Sequence, residues 1–150
     1  MANQPLFDPE VFMNQSTEAE MDTHVIPVAE NEYPAVIDSV TPRSGISEKG
    51  PWATLDISWL VTDAEESERT GREKLIIRQS LFLDVDEQGL LAVGQGKNLQ
   101  LGRLREAVGQ NRPGNWSPTM LVGQAATVLV SHRIYEGETY DEIKKVRELG

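Results

Sequence analysis

Apolar and polar residues alternate most regularly in two stretches, and both predict half-buried strands. From Trp52 to Val61, residues Ala53, Leu55, Ile57, Trp59 and Val61 fall on one face, with Trp52, Thr54, Asp56 and Ser58 on the other. That pattern puts Trp59 in the core and leaves Trp52 near the strand's start on the open face. From Gly123 to Val146, Val128, Val130 and Ile134 share one face, while Thr127, Ser131, Arg133 and Tyr135 share the other. Glu136-Gly137-Glu138-Thr139 reads as a tight polar turn. Tyr140 to Val146 then returns with Ile143 and Val146 apolar and Lys144-Lys145 charged. The second stretch is therefore expected to be a two-stranded antiparallel ribbon carrying two tyrosines and three cations.

Weaker patterns fill the rest of the chain. Tyr33–Val40 alternates as a strand, and Thr41–Pro51 reads as a loop because Pro42, Gly45, Gly50 and Pro51 interrupt it. Thr62–Lys74 is polar and charged and is expected to be a solvated hairpin loop. Leu75–Leu83 is a third strand, with Leu75, Ile77, Leu81 and Leu83 on one face and Ile76, Arg78, Ser80 and Phe82 on the other. Both faces are apolar enough to be the buried one. Asp84–Gly96 is a loop, after which Asn98 is a suitable N-cap for a helix to about Val108, with Leu101, Leu104 and Val108 at helical spacing and Gly109 ending it. Gln110–Pro118 is a second long loop that contains Trp116.

Strand, strand, strand, helix, strand, strand is the order of a five-stranded OB-fold-like barrel with one helix between strands 3 and 4. A five-stranded meander with a packed helix has the same periodicity. Either way the fold is mainly β, with a domain over residues 33–150. Residues 1–32 lack sustained periodicity and read as an extended, flexible N-terminal arm. Within that arm Asp8-Pro9-Glu10, between Leu6-Phe7 and Val11-Phe12, has the residues to open one helical turn.

Charge changes this picture in one respect. The chain has 24 acids and 14 bases, a net charge of -10, which looks hostile to nucleic acid. Seven of the acids and none of the bases lie in residues 1–33, leaving 17 acids against 14 bases in the other 117 residues. The acidity therefore belongs mostly to the arm, and a local basic groove on the domain is compatible with it.

Little in the sequence points to catalysis. There is no Cys, which excludes disulfides, thiolate metal sites and a Cys nucleophile. Asp84-Val-Asp86-Glu-Gln88-Gly89 begins like a calcium loop, but Gln95 stands where the closing bidentate acid belongs. Gly94-Gln-Gly96-Lys97 lacks the spacing of a phosphate loop. His24 and His132 have no second ligand or triad partner at a useful spacing. We expect a non-enzymatic protein with no metal and no cofactor. No apolar run is long enough for a membrane span, and Met1–Pro9 lacks a basic leader, so a cytoplasmic location is expected.

What remains is cations interleaved with aromatics. Arg43 and Lys49 flank the first loop beside Trp52, Arg72 and Lys74 border the second, and Arg78 lies on the third strand. Arg133 and Tyr135 share a face of the fourth strand, with Tyr140, Lys144 and Lys145 across the turn. Bases stack on exposed rings and Lys or Arg tracks phosphates, so this combination suits a single-stranded nucleic acid. Strands also favour aromatics for packing alone, and Glu136, Glu138, Asp141 and Glu142 sit among these residues.

The closing segment HRIYEGETYDEIKKV (His132–Val146), the opening Glu32-Tyr33-Pro34-Ala35-Val36-Ile37 and the strand Trp52-Ala-Thr-Leu-Asp-Ile-Ser together resemble phage single-stranded DNA-binding proteins of OB-fold type. The likeness spans residues 32–147. It implies a protein that coats single strands during phage DNA replication or recombination, in the host cytoplasm, with little sequence preference. It supports Tyr135, Tyr140, Lys144 and Lys145 as site residues, and Trp52 by position. The acidic segment departs from the familiar pattern by lying at the N-terminal side. It would serve replication or recombination proteins, or a second copy, as a docking arm, or would mimic DNA and compete for the groove. The alternative function is a protein-interaction or virion-accessory β-barrel that assembles through the same arm.

Overall fold

The computed structural model of the chain describes residues 4–150, so the first three residues of the expected arm lie outside the described residues. In chain order the elements are α1 (Pro9–Met13), β1 (Asn31–Ser47), β2 (Gly50–Val61), α2 (Ala64–Thr70), β3 (Leu75–Phe82), α3 (Leu99–Ala107), a 3-10 turn (Pro118–Leu121), β4 (Ala125–Tyr135) and β5 (Glu138–Arg147). The strands form one antiparallel sheet in the order β3-β2-β1-β4-β5. The fold is mainly β as expected, but the expected barrel does not close. The edge strands β3 and β5 approach each other but share no ladder. Among the described residues no helix is long and apolar enough to cross a membrane.

Alternation decides the core. Leu55, Ile57, Trp59 and Val61 of β2 point inward, with Leu75, Ile77 and Leu81 of β3 and Ala126, Val128 and Val130 of β4. Trp59 is fully buried, and its indole N–H donates to Gln79 Oε1 at 2.9 Å, which removes the cost of burying that donor. For β3 the structure settles the face: Ile76, Arg78, Ser80 and Phe82 lie outside.

Three local expectations are corrected. Thr41–Pro51 is not a loop but a ribbon, in which Thr41–Ser47 of β1 pairs with Gly50–Asp56 of β2 around the two-residue turn Glu48-Lys49. Pro42 is tolerated because β4 pairs only with Asn31–Val36, so this half of β1 has a free edge. The register skips at Asp38, a bulge that bends β1 so that one strand serves both halves of the sheet. Thr62–Lys74 is not a solvated loop, since it contains α2. Asp63 caps that helix by accepting from the Glu66 N–H at 2.9 Å, and Gly71 ends it at a left-handed φ of 71°. Asn98 precedes α3 without capping it, because its side chain bonds Asp84 and the Ala92 carbonyl instead.

The seam between β3 and β5 is filled at both ends. At one end α3 packs on both strands and buries Leu101 and Leu104. At the other end the segment expected to be the flexible end of the arm is strapped down. Val28 is fully buried. Arg69 and Arg72 donate to the carbonyls of Pro27 and Ile26, Ala29 N–H donates to Glu66, and His132 meets the Val28 carbonyl at 2.6 Å. Ahead of this strap His24 meets Glu138 at 2.8 Å, and among the described residues 4–22 make no hydrogen bond or ion pair with the domain. There α1 forms as its sequence predicts, with Asp8 accepting from the Glu10 and Val11 amides and Phe7 stacked on Phe12 at 4.4 Å.

Candidate nucleic-acid interface

The outer face of β1, β2 and β3 is built by the residues that alternate with the core. Trp52, Thr54, Asp56 and Ser58 lie on it from β2, Arg43 from β1, and Arg78, Ser80 and Phe82 from β3. Arg43 is opposite Thr54, which is opposite Phe82, so Trp52 and Phe82 are diagonal neighbours on one face. The Trp52 indole lies across Gly45, and a Cβ on that glycine would come within 2.6 Å of the ring. The Arg43 guanidinium sits 5.8 Å from the centre of the same ring. Phe82 is 68% exposed, an unusual position for so large an apolar ring.

The second half of the site is the β4–β5 ribbon. Its turn is Glu136-Gly137 alone, not the four residues expected, with φ of 51° and 81°. Two positive φ angles in succession match the right-handed strand twist of a two-residue hairpin. The register pairs Arg133 with Tyr140 and Tyr135 with Glu138, so these four share a face. The Arg133 guanidinium lies 5.4 Å from the Tyr140 ring centre and 3.5 Å from Glu142. Tyr135 and Tyr140 are both largely exposed.

Between the halves runs a groove of about 1000 Å³ along the open seam, walled by β3, α3 and β5. Six cations line it: Arg78, Arg103, Arg133, Lys144, Lys145 and Arg147. Four acids face them, Glu106, Asp141, Glu142 and Glu148. Asp141 is held by Arg72, Glu142 by Arg133, and Arg147 is paired with Glu32. Among the described residues Arg78, Arg103, Lys144 and Lys145 make no ion pair, so the groove keeps a positive bias. Arg78 also borders a smaller recess of about 440 Å³ with Ile76, Tyr140 and His24, and so is shared by the two cavities.

The sequence-predicted residues thus divide into groups. Arg78, Arg133, Lys144 and Lys145 come together around the groove, with Tyr140 in the adjoining recess beside Arg133, and Arg43 and Trp52 lie together on the outer face. Tyr135 lies near the tip of the β4–β5 ribbon. Lys49 is in the turn of the β1–β2 ribbon and Lys74 directly precedes β3; neither lines the groove. Arg72 is half-buried and bonds Asp141 and the Ile26 carbonyl, so its charge fastens the strap. Trp116 packs against the core beneath its loop, with Arg105 4.2 Å from its ring centre and its N–H on Gln110.

Three further residues belong to the site. Phe82 is ambiguous in the sequence because both faces of its strand carry large apolar residues. Arg103 follows from its place beside Leu101 and Leu104, which fixes the helix face turned inward and leaves Arg103 at its border. Arg147 continues the basic series of Lys144 and Lys145. The two histidines are occupied structurally, His24 with Glu138 at 2.8 Å and His132 with the strap. No family model matches the chain, and no curated protein matches it by sequence.

Proposed function

We propose that this chain is a non-catalytic single-stranded DNA-binding protein of OB-fold type that coats and protects single strands with little sequence preference. The observation that carries the reading is one path of surface rings, Trp52 half-buried and the others exposed, and unpaired cations. It runs from Trp52 and Phe82, past Arg78, to Tyr140, Lys144 and Lys145. Stacking on a ring is worth about 1–3 kcal/mol per base and is tolerant of sequence, while the cations would follow the phosphates. The strand order and the helix between β3 and β4 agree with an OB-type barrel whose seam is left open. The likeness of residues 32–147 to phage single-strand binders points to DNA replication or recombination as the setting, in the host cytoplasm.

The test is tryptophan fluorescence during titration with an unstructured thymidine oligonucleotide at low and moderate salt. Trp59 is buried and Trp116 is packed against the core, so Trp52 is the reporter on the interface. Saturable quenching that weakens with salt and disappears in Trp52→Phe is the expected result. No quenching, together with no mobility shift at low salt, rejects the reading.

A second role in the same protein is favoured by α1. Leu6, Phe7, Val11, Phe12 and Met13 are all exposed on a pre-capped turn, within an arm that carries acids and no bases. Such a segment suits a protein partner with an apolar pocket and a basic rim, of the replication or recombination machinery or a second copy of this chain. A peptide of residues 4–22 that competes with full-length protein for a purified candidate partner, and fails to do so as Phe7→Ala, Phe12→Ala, tests this role.

A further inference from the structure

Asp56 is a carboxylate only 5% exposed at the centre of the outer face, and three side chains donate to it. Ser80 Oγ donates to Oδ1 at 2.7 Å, Thr54 Oγ1 to the same oxygen at 3.3 Å, and Arg43 Nε to Oδ2 at 2.5 Å. Burial alone would raise its pKa, but the hydrogen bonds from Ser80 and Arg43 and the Arg43 charge outweigh that and lower it below the ordinary carboxylate value. At neutral pH Asp56 is therefore an acceptor only.

This has a consequence for the hydroxyl above it. Ser80 has one proton, and the ionised carboxylate fixes that proton inward. The oxygen of this exposed residue can then offer only lone pairs to a ligand. Ser80 lies two residues from Phe82 on the same face, about 7 Å along the strand. A base stacked on Phe82 would extend its edge over Ser80. The nearest donor on β3's outer face, Arg78, lies two residues further on and lines the groove, where phosphate is its stronger partner.

We propose that Ser80, oriented by Asp56, is a base-reading acceptor that favours nucleobases with an exocyclic amino group over thymine and uracil. Cytosine places an N4–H donor where uracil and thymine place the O4 acceptor, so at that position one base complements Ser80 and the other opposes it. Asp56 is a positioning residue, because it acts on the base through the hydroxyl it orients. The inference rests on the proposed single-strand binding and refines it. Stacking and phosphates would supply most of the affinity, and Ser80 would add a modest preference.

The experiment compares oligo(dC) with oligo(dU) of equal length by competition, a pair chosen to avoid the thymine methyl group. Wild-type protein is expected to bind oligo(dC) about three- to tenfold more tightly, the range of one net hydrogen bond. Ser80→Ala, at an exposed edge-strand position, should bring the two affinities together. Asp56→Asn, where it folds, should shift the preference toward oligo(dU), since an amide can donate to Ser80 and free its proton for O4. Tight but equal binding by the wild type, or a preference unchanged in Ser80→Ala, overturns this inference and leaves single-strand binding standing. Failure to bind either oligonucleotide overturns both.

Discussion

The backbone N–H of Val28 donates to Asp141 Oδ1 at 2.7 Å, joining positions 113 residues apart. That bond fastens the strap to β5 beside the interface, and it divides the N-terminal region into a free part and a structural part. Deleting residues 1–22 is expected to leave the melting temperature unchanged, whereas deletion through Ala29 should destabilise the fold. Val28→Ala alone should cost about 2 kcal/mol for the lost buried methyl groups. Thermal denaturation of the three variants checks the division, and equal effects of the two deletions would refute it.

The strap also sets a pH dependence. The Arg69 hydrogen bond, with the Ala29 N–H behind it, lowers the Glu66 carboxyl from 4.5 to about 2. A carboxyl lowered on folding contributes stability that is fully present above its unfolded pKa and is lost as pH falls through the folded one. Denaturation midpoints should therefore decline from just above pH 4.5 down to about pH 2, and Glu66→Gln should flatten that decline while lowering stability at pH 7.

On the interface, charge and aromatic variants should fail differently. Lys144→Ala, Lys145→Ala should reduce the slope of log affinity against log salt by about 1.4, roughly 0.7 for each phosphate of a single strand that is no longer neutralised. Tyr140→Ala and Phe82→Ala should each weaken binding by about 1–3 kcal/mol with the slope unchanged. Binding isotherms at four salt concentrations separate the two classes. A common slope for all variants would remove the assignment of phosphates to the groove.

Gly45→Ala probes the outer face without touching the core. The new methyl must displace the Trp52 ring, which leaves the shelter of Gly45 and the side of Arg43. A red-shifted emission from Trp52, with unchanged far-ultraviolet circular dichroism and weaker quenching by oligonucleotide, is the expected outcome. Wild-type quenching would show that the ring's placement does not matter to binding.

The sequence and the structure agree where one face of an element is buried and the other is not. Trp52–Val61 and Gly123–Val146 are legible for that reason, as are Trp59 in the core and Arg133 sharing a face with Tyr135. The β1 half of the β1–β2 ribbon, Thr41–Ser47, is not, because none of its residues is buried. It carries no alternation, and Pro42 and Gly45 resemble breakers. The α2 helix is hidden by its polarity, although Asp63, Glu66 and Gly71 are the residues of its two caps. The strap is the least visible. Val28 lies in a short apolar run, Val25–Ala29, that Pro27 interrupts and that has no helix or strand period, and the strap's partners Glu66, Arg72, His132 and Asp141 come together only in three dimensions.

The open seam leaves two strands with unpaired backbone groups, the kind of surface on which copies of a protein stick to one another. Strand β5 carries Lys144, Lys145 and Arg147 along that border, with Arg78 on β3 and Arg103 on α3 opposite. Two such borders brought together would repel each other, so these cations act as gatekeepers against edge-to-edge aggregation. A bound polyanion would cover the edges it neutralises. Variants that strip the charge without supplying a ligand remove that guard, and their weaker binding has to be measured on protein confirmed to be free of aggregates.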